Sequence, residues 1–238
     1  MSQEGLIIPQ SRPTHTVENY LMTMQVMERD YGEIVAARLA EMLAVAPATV
    51  AITFKRMERD NWITGTGRKA LHLTEVGRNA SYSIIRRHML TEWLLLSVLK
   101  VPLSQIHYEA HGIEHALSPQ LEERLRDVLK DPHTCPHGNP FPGRESEVSR
   151  WVPLIDIPIG EKVIIRRIHE FAEENSELLE FLIGNNIQPG AKSEIVEILP
   201  FNQTMTIAVE TKTVTLGFPA ARFIFAEVLS HRGRAARP

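Results

Sequence analysis

The chain has 238 residues, 43% hydrophobic and 23% charged, which excludes a disordered or fibrous protein and leaves room for one large domain or two to three small ones. Lys plus Arg is 26 against 29 Asp plus Glu, a formal net charge of −3, so nucleic acid could be bound only through a local basic face. A single cysteine, Cys135, precludes an internal disulfide, no signal peptide opens the chain, and no apolar run approaches the ~20 residues of a membrane span; these features predict a cytoplasmic protein with no membrane partner.

Residues 1–10 read as a loose leader. From Thr16, Val17, Tyr20, Leu21 and Met24 recur at helical spacing, and Gly32 supplies a stop. A short helix with Val35, Leu39, Met42 and Leu43 on its apolar face follows, then a third opening at Pro47 with Val50, Phe54 and Met57 on one stripe. Trp62–Thr64 and Leu71–Thr74 read as two short strands around a Gly-containing tip, Gly65–Ala70. Two helices joined by a tight turn and followed by such a hairpin predict a winged helix-turn-helix over 1–75. The pattern from Glu75 to Lys130 is helical, broken at Val101-Pro102 and Ser118-Pro119. Residues 131–150, with four prolines and two glycines, read as an irregular linker and boundary. Beyond them come strand-like runs at Val163–Ile165, Glu194–Leu199, Met205–Val209 and Phe223–Val228, and a short helix over Ser176–Ile183. They predict a small SH3-like β-barrel over 151–238. The expected fold is multidomain and mostly α, with a helical middle domain over 76–150.

Four of the ten histidines fall within residues 88–115, where an even spread would put about one. His88 and Glu92 stand at i, i+4; His107, His111, Glu114 and His115 stand at i, i+4, i+7 and i+8. Such faces offer imidazole nitrogen and carboxylate oxygen to a divalent transition metal. Spacing alone leaves two readings, a metal site and a solvated face with incidental histidines. No HExxH, CxxC pair, Gly-rich phosphate loop or nucleophile elbow occurs, so neither an enzyme nor a small organic substrate is expected. His133, Cys135 and His137 form a His-x-Cys-x-His pattern that could trap adventitious metal, though it reads first as a structural loop. Arg232, Arg234 and Arg237 form a basic tail.

In the third helix Ala48, Thr49 and Thr53 are expected on the solvent side, short groups able to meet thymine methyls and phosphates. Arg56 and Arg59, with Arg68 and Lys69 at the wing, are the expected phosphate contacts. Helix-turn-helix patterns also arise from plain helical packing; the wing favours DNA.

Several stretches together resemble the diphtheria-toxin-repressor family of metal-dependent regulators: Thr-Val-Glu-Asn-Tyr-Leu at 16–21, Arg-Met-Glu-Arg-Asp at 56–60, Leu-Thr-Glu-Val-Gly-Arg at 73–78, His-x-x-x-Glu at 88–92, His-Tyr-Glu-Ala-His-Gly-Ile-Glu-His at 107–115, and Gly-Asn-Pro-Phe-Pro-Gly at 138–143. The resemblance implies an ancillary metal site of His88, Glu92 and His107, completed from the SH3-like domain, where Glu174 and Glu177 are the nearest pair. It implies a primary site of Glu114 and His115 with His111 and Asn19. His111 replaces the family's cysteine or glutamate, and Asn19 its methionine or aspartate. Ile52 replaces a DNA-contacting glutamine. The expected function is a homodimeric, DNA-binding transcriptional regulator acting as a repressor on an operator duplex, controlling metal homeostasis and activated by manganese(II) or iron(II). Two other readings are a winged-helix regulator sensing a non-metal ligand and a metal-binding enzyme or metal-buffering protein.

Overall fold

Helix α1 (His15–Tyr31) begins where the Thr14 hydroxyl accepts the Val17 N–H at 3.4 Å. It ends at Gly32, whose φ of +74° lets its N–H close back on the Glu28 carbonyl. The stripe Val17, Tyr20, Leu21, Met24 and Met27 is buried. Helices α2 (Ala36–Met42) and α3 (Pro47–Arg59) follow, and Tyr20 meets Phe54 of α3 edge-on at 6.4 Å. Strands β1 (Ile63–Thr64) and β2 (His72–Leu73) pair antiparallel, Ile63 opposite Leu73, and complete a winged helix-turn-helix. The computed structural model describes residues 12–65 and 70–229. The leader, Arg68 and Lys69 of the wing, and the arginine tail lie outside the described residues.

The chain divides into two compact units, Met1–Ile84 and Ile85–Pro238, and the boundary falls within helix α4 (Glu75–Ser97). In the second unit, α5 (Ile106–Ile113) packs Ile106 and Ala110 against Leu95 of α4. A 3-10 turn at Glu114–Ala116 leads to α6 (Pro119–Val128), capped by the Ser118 hydroxyl. Lys130 and Asp131, both at positive φ, turn the chain out of α6. Helix α7 (Glu145–Val148) then precedes the sheet.

A six-stranded antiparallel, SH3-like sheet forms the rest. Its strands are β3 (Val152–Pro153), β4 (Lys162–Ile168), β5 (Lys192–Leu199), β6 (Thr204–Val209), β7 (Lys212–Gly217) and β8 (Ile224–Val228), in the order β3-β8-β4-β5-β6-β7. Short helices α8 (Glu170–Glu173), α9 (Ser176–Gly184) and α10 (Phe218–Ala221) lie between strands. Val163, Ile165, Ile195 and Ile207 point inward with Leu179 and Leu182 of α9. β7 goes unread in the sequence because its Thr-Val-Thr-Leu alternation is short and half polar.

The segment 131–150 is no loose linker. Residues 135–141 are buried throughout. The Ile168 N–H donates to the His137 carbonyl at 2.8 Å, and Asn139 Nδ2 donates to the Ile168 carbonyl at 2.7 Å. Gly138, at φ +92°, lies so near β4 that a Cβ would sit 2.0 Å from the Arg166 carbonyl oxygen. Prolines and glycines here shape a packed loop, not a hinge. Among the described residues no single helix is long and apolar enough to cross a membrane.

Candidate metal centre

Helices α4 and α5 build the site. His88 and Glu92 stand one turn apart on α4, His107 and His111 one turn apart on α5, and the 3-10 turn adds Glu114 and His115. The two expected ligand sets are not separate. Glu114 Oε2 lies 2.5 Å from His88 Nδ1, and Glu114 Oε1 lies 3.2 Å from His111 Nδ1 and 3.5 Å from His115 Nε2. Glu92 Oε1 lies 3.3 Å from each of His88 Nε2, His107 Nδ1 and His137 Nδ1. Ring nitrogens also face each other: His88 Nε2 and His107 Nδ1 at 3.1 Å, His107 Nε2 and His111 Nε2 at 3.2 Å.

Of the expected pair Glu174 reaches the histidines, and Glu173 stands beside it in place of Glu177. Glu173 Oε2 lies 2.8 Å from His107 Nδ1, and Glu174 Oε1 lies 3.5 Å from His107 Nε2 and 3.8 Å from His111 Nε2. Glu177 is exposed in the first turn of α9 and outside these contacts. The reason is helical phase: His169, whose imidazole accepts the Phe171 N–H, starts α8, and that single turn buries Glu173 while the chain leaves the site before Glu177. Glu173 goes unread in the sequence, and His137, noted there only in a His-x-Cys-x-His pattern, is not expected beside Glu92. The first lies on an element too short for periodicity, and the second sits in a segment that reads as irregular. Asn19 lies in the first unit, on α1, where its Oδ1 is buried without a hydrogen-bond partner.

Burial works against the charge on His88, but Glu114 and Glu92 outweigh it and raise the imidazole to about 10. Burial likewise opposes the Glu114 carboxylate, yet His88 and His111 hold it down at about 2. Burial would push Glu92 up, but His137 and His88 hold it well below its usual range, and Glu173 and Glu174 drive His107 well above its own despite burial. Burial raises the Cys135 thiol, with Glu92 and Glu173 adding to the effect. A lone pair facing a lone pair, or a buried carboxylate facing several imidazoles, needs a proton or a cation between. Glu92 Oε2, buried with no hydrogen-bond partner, is an acceptor left for such a cation. Imidazoles and carboxylates of this kind fit a divalent first-row ion.

On α3, Ala48, Thr49 and Arg56 are exposed as expected, and so is Ile52, at 71%. Thr53 is not: it stands three residues after Val50 and four before Met57, so it lies on the core stripe and is buried. The Arg59 guanidinium is exposed but gripped by Asp60 at 2.7 and 3.1 Å.

Residues 74–143 match the family model described as iron dependent repressor, metal binding and dimerisation domain, and residues 152–228 match the FeoA domain. The chain is 32% identical over 223 residues to the iron-dependent repressor IdeR of Mycobacterium leprae, covering 89% of this chain and 96% of that protein. It is 33% identical over 191 residues to the diphtheria toxin repressor of Corynebacterium diphtheriae, covering 76% and 84% respectively. A solved manganese-dependent transcriptional repressor in complex with manganese is similar with a TM-score of 0.78 at 25% identity, over 90% of this chain and all of that one. With a relative so similar along nearly its whole length, this chain belongs to the diphtheria-toxin-repressor family of metal-dependent repressors.

Proposed function

We infer that this protein is a metal-dependent DNA-binding transcriptional repressor that governs metal-ion homeostasis, with manganese(II) or iron(II) as its effector. The observation that carries the reading is the convergence of buried His88, Glu92, His107, Glu114 and Glu173 with half-buried His111, inside the segment that matches the metal-binding and dimerisation domain and beside it. His88, Glu92, His107 and Glu173 would hold one ion, His111, Glu114 and His115 another, with Asn19 a further ligand that the family resemblance implies. A divalent cation bound there supplies the positive charge that the clustered carboxylates demand, replacing protons. His88 and Glu92 ride on α4, a continuous helix that also carries residues of the winged-helix unit.

The other parts of the reading are a homodimer and a DNA duplex. Val98, Leu99, Tyr108 and Val128 are large apolar side chains at least half exposed in the helical segment, an apolar surface suited to a second copy. Ala48, Thr49, Ile52 and Arg56 form the outward stripe of α3, which would enter the major groove, with Arg59 on a phosphate; Arg68 and Lys69 remain phosphate contacts expected from the sequence. Two subunits reading two half-sites need recognition helices about 34 Å apart, one DNA turn. To throw that switch fully, metal must favour the DNA-competent state by about 5.5 kcal/mol.

The deciding experiment selects duplexes from a random pool with manganese(II) present, then measures affinity for the selected duplex by fluorescence anisotropy. Affinity rises with micromolar manganese(II), or iron(II) under anaerobic conditions, and falls with chelator. Equal affinity with chelator and with both metals overturns the metal-switch reading.

A further inference from the structure

The outward face of α3 changes character along its length. Ala48, Thr49, Ala51 and Ile52, in its first two turns, are exposed and end in methyl groups. Lys55 and Arg56 follow Ile52 at i+3 and i+4 and are also exposed, so the same face ends in two cations. No amide, carboxylate or guanidinium stands on α3 before Lys55. The hydrogen-bonding side chains of its first two turns are Thr49 and the buried Thr53.

Ile52 stands out on this face. It is 71% exposed, the most open large apolar side chain among the described residues of the first unit, while Val50, Phe54 and Met57 of the same helix are buried. An apolar side chain so placed gains free energy only when a partner covers it. A second copy of the helix is a poor cover. α3 carries three cations, Lys55, Arg56 and Arg59, against one acid, Glu58, and a self-pairing face would set like charges together. A polyanion that also presents apolar spots fits both halves of the face. The major groove of DNA is such a surface: its phosphates take the cations, and its one apolar group is the thymine C5-methyl. Stiffness adds to the fit. Isoleucine is branched at Cβ and keeps essentially one χ1 rotamer in a helix, so Ile52 loses little side-chain freedom on contact.

We propose that Ile52 is the specificity-determining residue of the recognition helix, and that it selects an A·T pair by packing on the thymine methyl, with Ala48 and Thr49 beside it. This role rests on the protein being a DNA-binding repressor and adds which base it selects. Selection comes from methyl burial and not from hydrogen bonding. A G·C pair at the same step would set the cytosine amino donor and the guanine O6 acceptor against a side chain that can answer neither.

The test uses the full chain with manganese(II) and the duplex selected from the random pool. Each thymine is replaced in turn by deoxyuridine, which deletes the C5-methyl and keeps every hydrogen-bonding group of the base. Affinity is measured by fluorescence anisotropy for the wild type and for Ile52→Ala, with circular dichroism checking the fold of the variant. A methyl taken out of water corresponds to about fourfold in affinity. The expected result is a loss of about fourfold at one thymine per half-site, and of about tenfold or more with both half-sites replaced. In Ile52→Ala the same replacement costs nothing, which couples the methyl to this side chain. Because Ile52 carries no charge, the variant keeps the wild-type slope of log affinity against log salt. No methyl effect at any thymine overturns the proposal. So does a methyl effect that Ile52→Ala retains in full, which would be DNA deformability read without this contact. A salt slope shifted by about one unit in Ile52→Ala overturns it as well, since the loss would then come from displaced cations. These three results concern a duplex that is still bound with metal, so the repressor reading survives them; a chain that selects no duplex defeats both.

Discussion

Replacing Glu114 by glutamine removes a fully buried carboxylate that touches both histidine sets. A tenfold change in the acidity of a group on folding corresponds to about 1.4 kcal/mol. A carboxyl held from 4.5 down to about 2 therefore contributes about 3 kcal/mol to folding at neutral pH. The raised His88 describes the same interaction from the other side and is not counted again. Glutamine keeps the shape and an acceptor oxygen, so a loss of about 2–3 kcal/mol is expected for the metal-free chain, at the low end for a broken buried pair. The sign follows from the depressed carboxyl: its contribution is full above pH 4.5 and is lost as pH falls through about 2, so the deficit of the variant shrinks across that window. Metal should separate the two proteins further. An ion at a hundred times its dissociation constant adds about 2.7 kcal/mol to the wild type, whereas a site weakened a hundredfold gains only about 0.4 kcal/mol at the same concentration. The assay is urea unfolding at pH 7 with chelator and with manganese(II). Equal stability of Glu114→Gln and wild type under chelator, together with equal gains from manganese(II), would refute the placement of Glu114 at the centre.

On α3, Arg56→Ala should flatten the plot of log DNA affinity against log salt by about one unit. Arg59→Ala should change it less, since Asp60 already grips that guanidinium; no change for Arg56→Ala in a salt titration removes that residue from the interface. Glu173→Ala should raise the manganese(II) midpoint about tenfold or more while Glu177→Ala leaves it in place; calorimetry showing the reverse order would restore the pair expected from sequence. Gly138→Ala combines a disfavoured φ of +92° with a Cβ 2.0 Å from a β4 carbonyl, and should cost about 3 kcal/mol in a urea melt. Unchanged stability would mean the loop does not pack on β4 as described.

Much of this protein is legible in its sequence because most of its elements announce themselves locally. Gly32 stops α1, Pro47 opens α3, and the break read at Ser118-Pro119 is where α6 begins, each through a cap or a fixed φ. The histidine faces on α4 and α5 follow from i, i+4 spacing alone. What escaped needed three-dimensional information. Whether Thr53 faces solvent or core turns on one step of helical phase, and Val50 and Met57 settle it together. Glu173 and Glu177 are chemically equivalent acids, and only the single turn of α8 chooses between them. The loop at 135–141 has the composition of a linker, and its burial comes from partners on β4 and α4 that lie far away in sequence.

The interlocking of the two ligand sets also bears on how the chain answers rising metal. Glu114 links His88 to His111, and His111 in turn abuts His107, so ordering either set pulls on side chains the other one uses. A first ion bound by one set would arrange groups that a second ion bound by the other then finds in place, so we expect occupancy to climb more steeply than for independent sites. A regulator built so would answer the cellular metal pool as a threshold rather than in proportion to it.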